Sequence, residues 1–66
     1  MTNIESIRRS KGLSQTYIAN KLGISRFWYW LIEKNKVNPS KEIEKELENF
    51  FKKPISYLLK ITKKEG

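Results

Sequence analysis

The sequence predicts an all-α fold with a single core, and three observations indicate it. Residues that cap or end helices recur at short intervals along the 66 residues of the chain. No segment has the sustained alternation of apolar and polar residues that a half-buried strand shows. A chain this short buries only about 60 % of its unfolded surface, so it does not support a second core.

The first two helices are located by their caps. Thr2 and Glu5 have the spacing of a capping box, and the first helix ends at Gly12. Ser14 caps the second helix, which ends at Gly23, because glycine best adopts the left-handed backbone of a tight turn. The apolar spacing directs the following side chains inward: Ile4, Ile7, Ile18, Ala19 and Leu22.

Three further helices follow. Ser25 caps the third, which ends near Asn35, a residue that tolerates the left-handed conformation. Pro39 and Ser40 open the fourth, and Pro54 suits the first turn of the fifth. The apolar stripe of the fourth helix consists of Ile43, Leu47, Phe50 and Phe51. Its solvent side is expected to carry Glu42, Glu44, Glu46 and Glu48.

The charge balance indicates a polyanionic partner. Fourteen Lys and Arg residues against seven Asp and Glu residues give a net charge of +7, and such a field attracts nucleic acid. Residues 1–40 carry a net charge of +5 (7 − 2), residues 41–50 carry −2 (2 − 4), and residues 51–66 carry +4 (5 − 1). The middle segment is therefore expected to face away from the polyanion.

Composition argues against an enzyme. The chain has no cysteine and no histidine, which excludes disulfides, thiol chemistry and Cys or His metal sites. Carboxylate pairs such as Glu42 and Glu46 lie on a helix surface, where no pocket tunes a catalytic pKa. We therefore expect no catalytic residues, no cofactor and no metal.

Hydropathy argues against a membrane protein. No apolar run reaches the roughly 18–20 residues that cross a bilayer, and a capping pattern stands where a signal peptide would need an apolar stretch. A cytoplasmic protein without membrane contact is expected. The polar ending at residues 62–66 lacks apolar anchors and is expected to be a flexible tail.

Residues 15–35 carry the motif with the clearest functional meaning. The second and third helices are joined by about three residues that include Gly23, and such a connection sets two short helices across one another in a helix-turn-helix. Ala19 is a small residue at the expected crossing. The apolar side chains expected underneath are Ile18, Leu22, Ile24, Tyr29 and Ile32.

The segments IRRSKGLSQ, IANKLGIS, IEKNKVNPS and ENFFKKPISYLL resemble the Cro/C1-type helix-turn-helix family, also called the XRE family, of phage and bacterial repressors. The resemblance covers about residues 3–60. It implies a compact five-helix, lambda repressor-like domain, here over residues 1–61, with the helix-turn-helix at helices 2 and 3. It further implies a transcription regulator that binds double-stranded DNA, usually as a homodimer on a palindromic operator, with helix 3 (about residues 25–34) in the major groove.

The resemblance also implies residue roles. Base or groove contacts fall on Arg26, Phe27 and Leu31, with Trp30 beside them. Contacts to phosphate fall on Ser14, Gln15, Lys34, Lys36 and Asn38. Gln15 is also implied to support the start of the third helix. Arg8 and Glu33 match an ion pair that ties helix 1 to helix 3. Dimer contacts in such domains often involve the last helix, and its apolar surface here consists of Tyr57, Leu58, Leu59 and Ile61. Of this helix, Ile55, Leu58 and Leu59 point either inward or to a partner.

The third helix departs from the family pattern. Family recognition helices generally present polar side chains, whereas this one reads RFWYWL. At 100° per residue, Phe27, Trp30 and Leu31 point away from Tyr29 and Ile32, so they cannot all be core. An exposed apolar patch usually marks an interface. Trp28 lies on the boundary and is expected to pack partly under the fourth or fifth helix.

Two functions remain open for this aromatic face. On DNA it would make apolar contacts with thymine methyl groups and sugars, with Arg26 pairing to guanine; the short single-domain format then suggests a repressor of a phage, plasmid or other mobile element. Alternatively it docks into another protein, as in an antirepressor or an antitoxin-like module. The acidic fourth helix could contact RNA polymerase or an antirepressor.

Overall fold

The computed structural model describes residues 1–61, and the tail expected at residues 62–66 lies outside the described residues. The described part of the chain forms five helices: α1 (Asn3–Ser10), α2 (Gln15–Leu22), α3 (Arg26–Glu33), α4 (Lys41–Phe51) and α5 (Ile55–Leu58). The predicted all-α, five-helix class is confirmed. No helix within this range is long and apolar enough to span a bilayer.

Each of the first four helices begins at the hydroxyl residue predicted to cap it. The hydroxyl oxygens of Ser14 and Ser25 each accept the backbone N–H three residues ahead at 3.0 Å, and Ser40 does the same at 3.2 Å. Thr2 accepts the N–H of Glu5 at 3.4 Å. These bonds satisfy amides that have no partner inside the helix, and they fix where each helix starts.

Residues in the left-handed backbone conformation mark the ends of α2, α3 and α4. Gly23 closes α2 with φ +73°, and Asn35 follows α3 with φ +60°. Lys52 ends α4 in the same left-handed region, with φ +60°. That end was not predicted, because a lysine rarely adopts this conformation and carries no local signal for it.

The core forms where α2 meets α3 and α4 and where α5 meets α1 and α4. Ala19 is buried on α2, and its small side chain lets α2 and α3 approach closely. The other residues of the hydrophobic core are Ile4, Ile18, Tyr29, Ile32, Leu47, Phe51 and Leu58. The predicted inward faces of α2, α3 and α4 thus supply most of the core.

Leu58 was expected to point either inward or to a dimer partner, and its place on the dimer surface is wrong. Its side chain is fully buried in the core of its own chain, and Leu59 is half-buried against that core. Because Ile55 and Leu58 are three positions apart on α5, they lie on the same side of the helix, and both pack against the core. Only Tyr57 and Ile61 of the expected dimer residues are exposed, at 43 % and 58 %.

The two ends of the described chain meet beside α5. Thr2 and Ile61 form an isolated antiparallel bridge, and the N–H of Asn3 donates to the carbonyl of Lys60 at 3.0 Å. The side-chain amide of Asn3 donates to the carbonyl of Tyr57 at 2.9 Å. These bonds close α5 against the start of α1, which sequence patterns did not predict because they join residues more than fifty positions apart.

Glu48 caps α5 rather than facing only solvent. Pro54, the residue before α5, provides no side-chain cap, and Oε2 of Glu48 accepts the N–H of Ile55 at 2.7 Å. Glu48→Ala is expected to lower the free energy of unfolding by about 1 kcal/mol, the usual loss for a removed cap. Urea unfolding measures it. The matched control, Glu46→Ala on the exposed side of α4, should change stability by less than about 0.5 kcal/mol; equal effects would contradict the cap.

Candidate nucleic-acid interface

The turn between α2 and α3 sets the direction of α3. Gly23 donates its N–H to the carbonyl of Asn20 at 3.2 Å, and Ile24 donates to Ala19 at 3.0 Å. The left-handed backbone at Gly23 then turns the chain before Ser25 caps α3. The connection is therefore short and hydrogen-bonded, and it holds the two helices as one unit.

One side of α3 is buried and the other is open. Tyr29, Ile32 and Glu33 face the interior with no more than trace exposure. The opposite side, called the outward face here, consists of Arg26, Phe27, Trp30 and Leu31. All four residues predicted to contact bases or the groove thus lie together on one surface.

The outward face carries a stacked aromatic pair. The Phe27 ring is 65 % exposed, and its centroid lies 6.1 Å from that of Trp30 with 18° between the ring planes. Arg26 is exposed beside them, whereas Trp30 and Leu31 are half-buried. Trp28, at the margin of this face, is 42 % exposed. The surface is thus apolar at its centre with a cation at its amino-terminal end.

A buried cluster of charged and polar side chains stabilises α3 on its buried side. Glu33, fully buried, accepts from Arg8 Nε at 2.6 Å and from the Tyr29 hydroxyl at 2.8 Å through Oε2. Its Oε1 accepts from Gln15 Nε2 at 2.8 Å and from Arg8 Nη2 at 3.3 Å. Arg8 also donates from Nη1 to the carbonyl of Leu13 at 2.8 Å. This set, Arg8, Gln15, Tyr29 and Glu33, is called the Glu33 cluster.

The Glu33 cluster connects α1, the first residue of α2 and the end of α3. The structure pairs Arg8 with Glu33, as the resemblance implies, and adds Gln15 and Tyr29 as donors. A signal for Tyr29 existed in the sequence, because it stands one helical turn before Glu33. Gln15 was expected, from the resemblance, to support the start of the third helix, and the structure instead places its side-chain amide on Glu33 at the end of that helix.

A second ion-pair group fixes the end of α3 to α1. The carboxylate of Glu5 is buried, and it lies 2.8 Å from Arg9 Nη2 and 3.1 Å from Lys34 Nζ. The hydroxyl of Thr2 donates to the carbonyl of Glu33 at 2.7 Å. Lys34, expected at phosphate, is thus bonded within the chain.

The other residues expected at phosphate flank α3. Ser14 caps α2, and Gln15 is half-buried with its amide on Glu33. Lys36 and Asn38 are exposed in the loop that follows α3. Ser14 and Gln15 therefore lie at the start of α2, and Lys36 and Asn38 lie after the carboxyl end of α3.

Burial removes the negative charges of residues 1–40 from the protein surface. Glu5 and Glu33 are the two carboxylates among residues 1–40, and both are buried and paired with cations. Exposed cations of the same stretch include Lys11, Lys21, Arg26 and Lys36. Exposed carboxylates on α4 include Glu42 and Glu46. The helix-turn-helix part consequently presents a cationic surface, as a phosphate backbone requires.

Burial also changes the titration of Tyr29. Removal from water raises the pKa of its phenol well above the ordinary value, and the nearby negative charge of Glu33 raises it further. The hydrogen bond to Glu33 likewise raises the pKa of Arg8. The phenol thus stays protonated and continues to donate to Glu33 when the solution becomes alkaline.

This raised pKa predicts a loss of stability at high pH. Above about pH 10 the unfolded chain releases the Tyr29 proton while the folded chain keeps it. Stability from this group is therefore complete below about pH 10 and falls above it, by at most about 1.4 kcal/mol per pH unit. Urea unfolding between about pH 9 and 11 should show a steeper decline in the wild type than in Tyr29→Phe; equal slopes would refute it.

No group of acidic side chains within residues 1–61 is arranged to hold a metal ion. The arrangement offers a different chemistry: an apolar helix face for a groove, and cations with amide and hydroxyl groups for phosphates.

Comparison with known protein families gives a match over most of the chain. A family model described as Helix-turn-helix matches residues 4–58, which include nearly all of the five helices. No curated protein and no solved structure matches the chain.

Proposed function

The chain belongs to the Cro/C1-type helix-turn-helix family of DNA-binding transcription regulators, and we propose that it is a sequence-specific repressor of the phage, plasmid or mobile-element type that inserts α3 into the major groove. The observation that carries the proposal is the outward face of α3. It belongs to residues 1–40, whose two carboxylates are buried and paired with cations. This regulatory family is typically non-enzymatic, and the proposal involves binding alone.

The dimensions and position of α3 suit this role. An α-helix with its side chains is about 10–12 Å wide, close to the roughly 12 Å width of the major groove. In helix-turn-helix proteins the first residues of the recognition helix reach the base edges. Arg26 is the first residue of α3 and is exposed. Its planar guanidinium can donate two hydrogen bonds to O6 and N7 of one guanine.

Residues on either side of α3 would contact the phosphates. Ser14 and Gln15 stand at the amino end of α2, where free backbone N–H groups favour an anion. An amide group has two donor hydrogens, so Gln15 can keep its bond to Glu33 and donate the second to a phosphate. Lys36 and Asn38 follow α3 and are exposed. Lys34 would share its ammonium group between Glu5 and a phosphate.

We propose that two copies bind a palindromic operator. Dimeric helix-turn-helix proteins place their recognition helices about one turn of DNA apart. Tyr57 and Ile61 are exposed near the bridge between Thr2 and Ile61, and they are the proposed dimer contacts, with Leu59 at the margin. The exposed acidic side of α4 would remain available to RNA polymerase or an antirepressor.

Selection from a random duplex library at two salt concentrations tests the proposal. The intact protein should enrich a short inverted repeat, and Arg26→Ala should bind that repeat at least about 30-fold more weakly, because each of the two copies loses a bidentate contact worth about 1–3 kcal/mol. The matched control is Lys45→Ala on the exposed side of α4, which should bind as the wild type does. Weak, salt-sensitive retention with no enriched sequence would contradict the proposal.

The exposed aromatic rings favour one second candidate. Phe27 and Trp28, at 65 % and 42 % exposure, are typical of an interface with another protein, as in an antirepressor or an antitoxin-like module. An apolar protein interface responds weakly to salt, whereas binding to phosphates weakens steeply. Salt dependence therefore separates the two functions.

A further inference from the structure

We propose that the stacked Phe27–Trp30 pair recognises the C5 methyl group of a pyrimidine in the major groove. The inference rests on the proposed function and specifies which chemical group the outward face reads. In unmodified DNA that group belongs to thymine, and in methylated DNA it also belongs to 5-methylcytosine.

The chemistry of the side chains leads to this choice. Phe27 and Leu31 have no hydrogen-bonding atom in their side chains, and Trp30 has a single donor, its indole N–H. In the major groove, the base edges present acceptors on guanine, a donor on cytosine, and both kinds on adenine. Thymine adds the one apolar group, its methyl.

Desolvation converts this difference into selectivity. A ring that covers an oxygen, nitrogen or amino group of a base removes water from it without replacing the hydrogen bond, which is unfavourable. A ring that covers a methyl group removes apolar surface from water, which is favourable. The exposed Phe27 ring therefore discriminates for base pairs that place a methyl group beneath it.

The geometry of the pair supports a defined contact. The two rings are nearly parallel, with 18° between their planes and 6.1 Å between their centroids. Residues three positions apart rise about 4.5 Å along a helix, comparable with the roughly 3.4 Å between successive bases of one strand. The stacked pair is thus a compact apolar ridge that covers one or two base steps.

Charge complementarity favours DNA as the occupant of this patch. Arg26 precedes Phe27 and is exposed, and Lys36 is exposed in the loop after α3. The nearest carboxylates in this part of the sequence, Glu5 and Glu33, are buried and already paired. An apolar ridge with cations at both ends of its helix fits a groove between two phosphate chains.

Base analogues test the inference on the duplex selected above. Uracil differs from thymine only by the missing methyl group, so thymines are replaced one position at a time, in both half-sites together. At one or two positions we expect binding to weaken about 15-fold, which is about four-fold for each methyl group. At the remaining positions uracil should have no effect.

Protein variants assign the effect to the ring pair. Phe27→Ala and Trp30→Ala should still bind the duplex, but one or both should no longer distinguish thymine from uracil at the sensitive position. Circular dichroism confirms that each variant remains folded. In a further pair of duplexes the sensitive position carries cytosine or 5-methylcytosine instead of thymine. The wild type should bind the 5-methylcytosine duplex more tightly than the cytosine duplex, which shows that the methyl group itself is read.

The outcomes separate this inference from the proposed function. A selected duplex that tolerates uracil at every thymine would overturn methyl recognition and leave the repressor proposal standing. Sensitivity to uracil that persists in both ring variants would also overturn it, because other residues would then read the methyl group. Failure to select any duplex would overturn the proposed function and this inference with it.

Discussion

Replacing Glu33 with glutamine is expected to lower the free energy of unfolding by about 3–5 kcal/mol, the usual loss when one partner of a buried ion pair is removed. The Glu33 carboxylate is fully buried and accepts from Arg8, Gln15 and Tyr29. Glutamine has nearly the same shape, but it leaves the Arg8 guanidinium without an opposing charge. The expected loss arises mainly from that uncompensated cation.

The size of this effect is large for so small a domain. Typical stabilities per residue give about 3–10 kcal/mol for a chain of this length, so Glu33→Gln should be partly or largely unfolded at room temperature. Urea unfolding followed by circular dichroism measures the change. Tyr29→Phe removes a single donor to Glu33 and should cost about 1.5–3 kcal/mol, which keeps the measurement possible if Glu33→Gln does not fold.

The matched control is Glu46→Gln, which makes the same chemical change at an exposed position of α4. A surface substitution of this kind should alter stability by less than about 0.5 kcal/mol. If Glu33→Gln and Glu46→Gln had equal effects, the Glu33 cluster would not hold α3 in place, and the argument for a positioned recognition helix would lose its support.

Binding to the selected duplex is expected to weaken about 150-fold when salt rises from about 50 to 200 mM, the loss for about four cationic phosphate contacts. Lys34 and Lys36 from each copy of a dimer would provide that number. The physical reason is the release of condensed counterions from DNA, which salt opposes. Fluorescence anisotropy with a labelled duplex measures the affinity at each salt concentration.

Two lysine variants make this salt prediction specific. Lys36→Gln should reduce the slope of log affinity against log salt by about 1.8 in a dimer, because each copy loses one phosphate contact. Lys45→Gln removes the same charge from the exposed side of α4 and should leave the slope unchanged. A slope near zero for the intact protein would instead favour the protein-partner function of the outward face.

The predicted features that the structure contains are local ones. Ser14, Ser25 and Ser40 cap helices and Gly23 ends one, and each of these roles depends on a few neighbouring residues. The outward face was also predicted, because the 100° spacing of a helix separates Phe27 from the buried side whatever the helix packs against.

The features that were missed depend on how helices pack. Gln15 joins Glu33 across eighteen positions, and Lys34 joins Glu5 across twenty-nine. Glu48 had the spacing of a solvent residue, yet the turn after α4 brings Ile55 back to it. Leu58 lies on a single-turn helix, where spacing cannot tell an inward from an outward apolar residue. A single sequence specifies such contacts only through the complete fold.

The central claim, that α3 reads DNA in the major groove, is tested most directly by methylation protection on the selected duplex. Dimethyl sulfate attacks N7 of guanine in the major groove and N3 of adenine in the minor groove, and the two positions report on opposite grooves. Saturating protein should protect one guanine N7 in each half-site, and Arg26→Ala at saturation should expose it again. Protection of adenine N3 with every guanine N7 still reactive would contradict the claim.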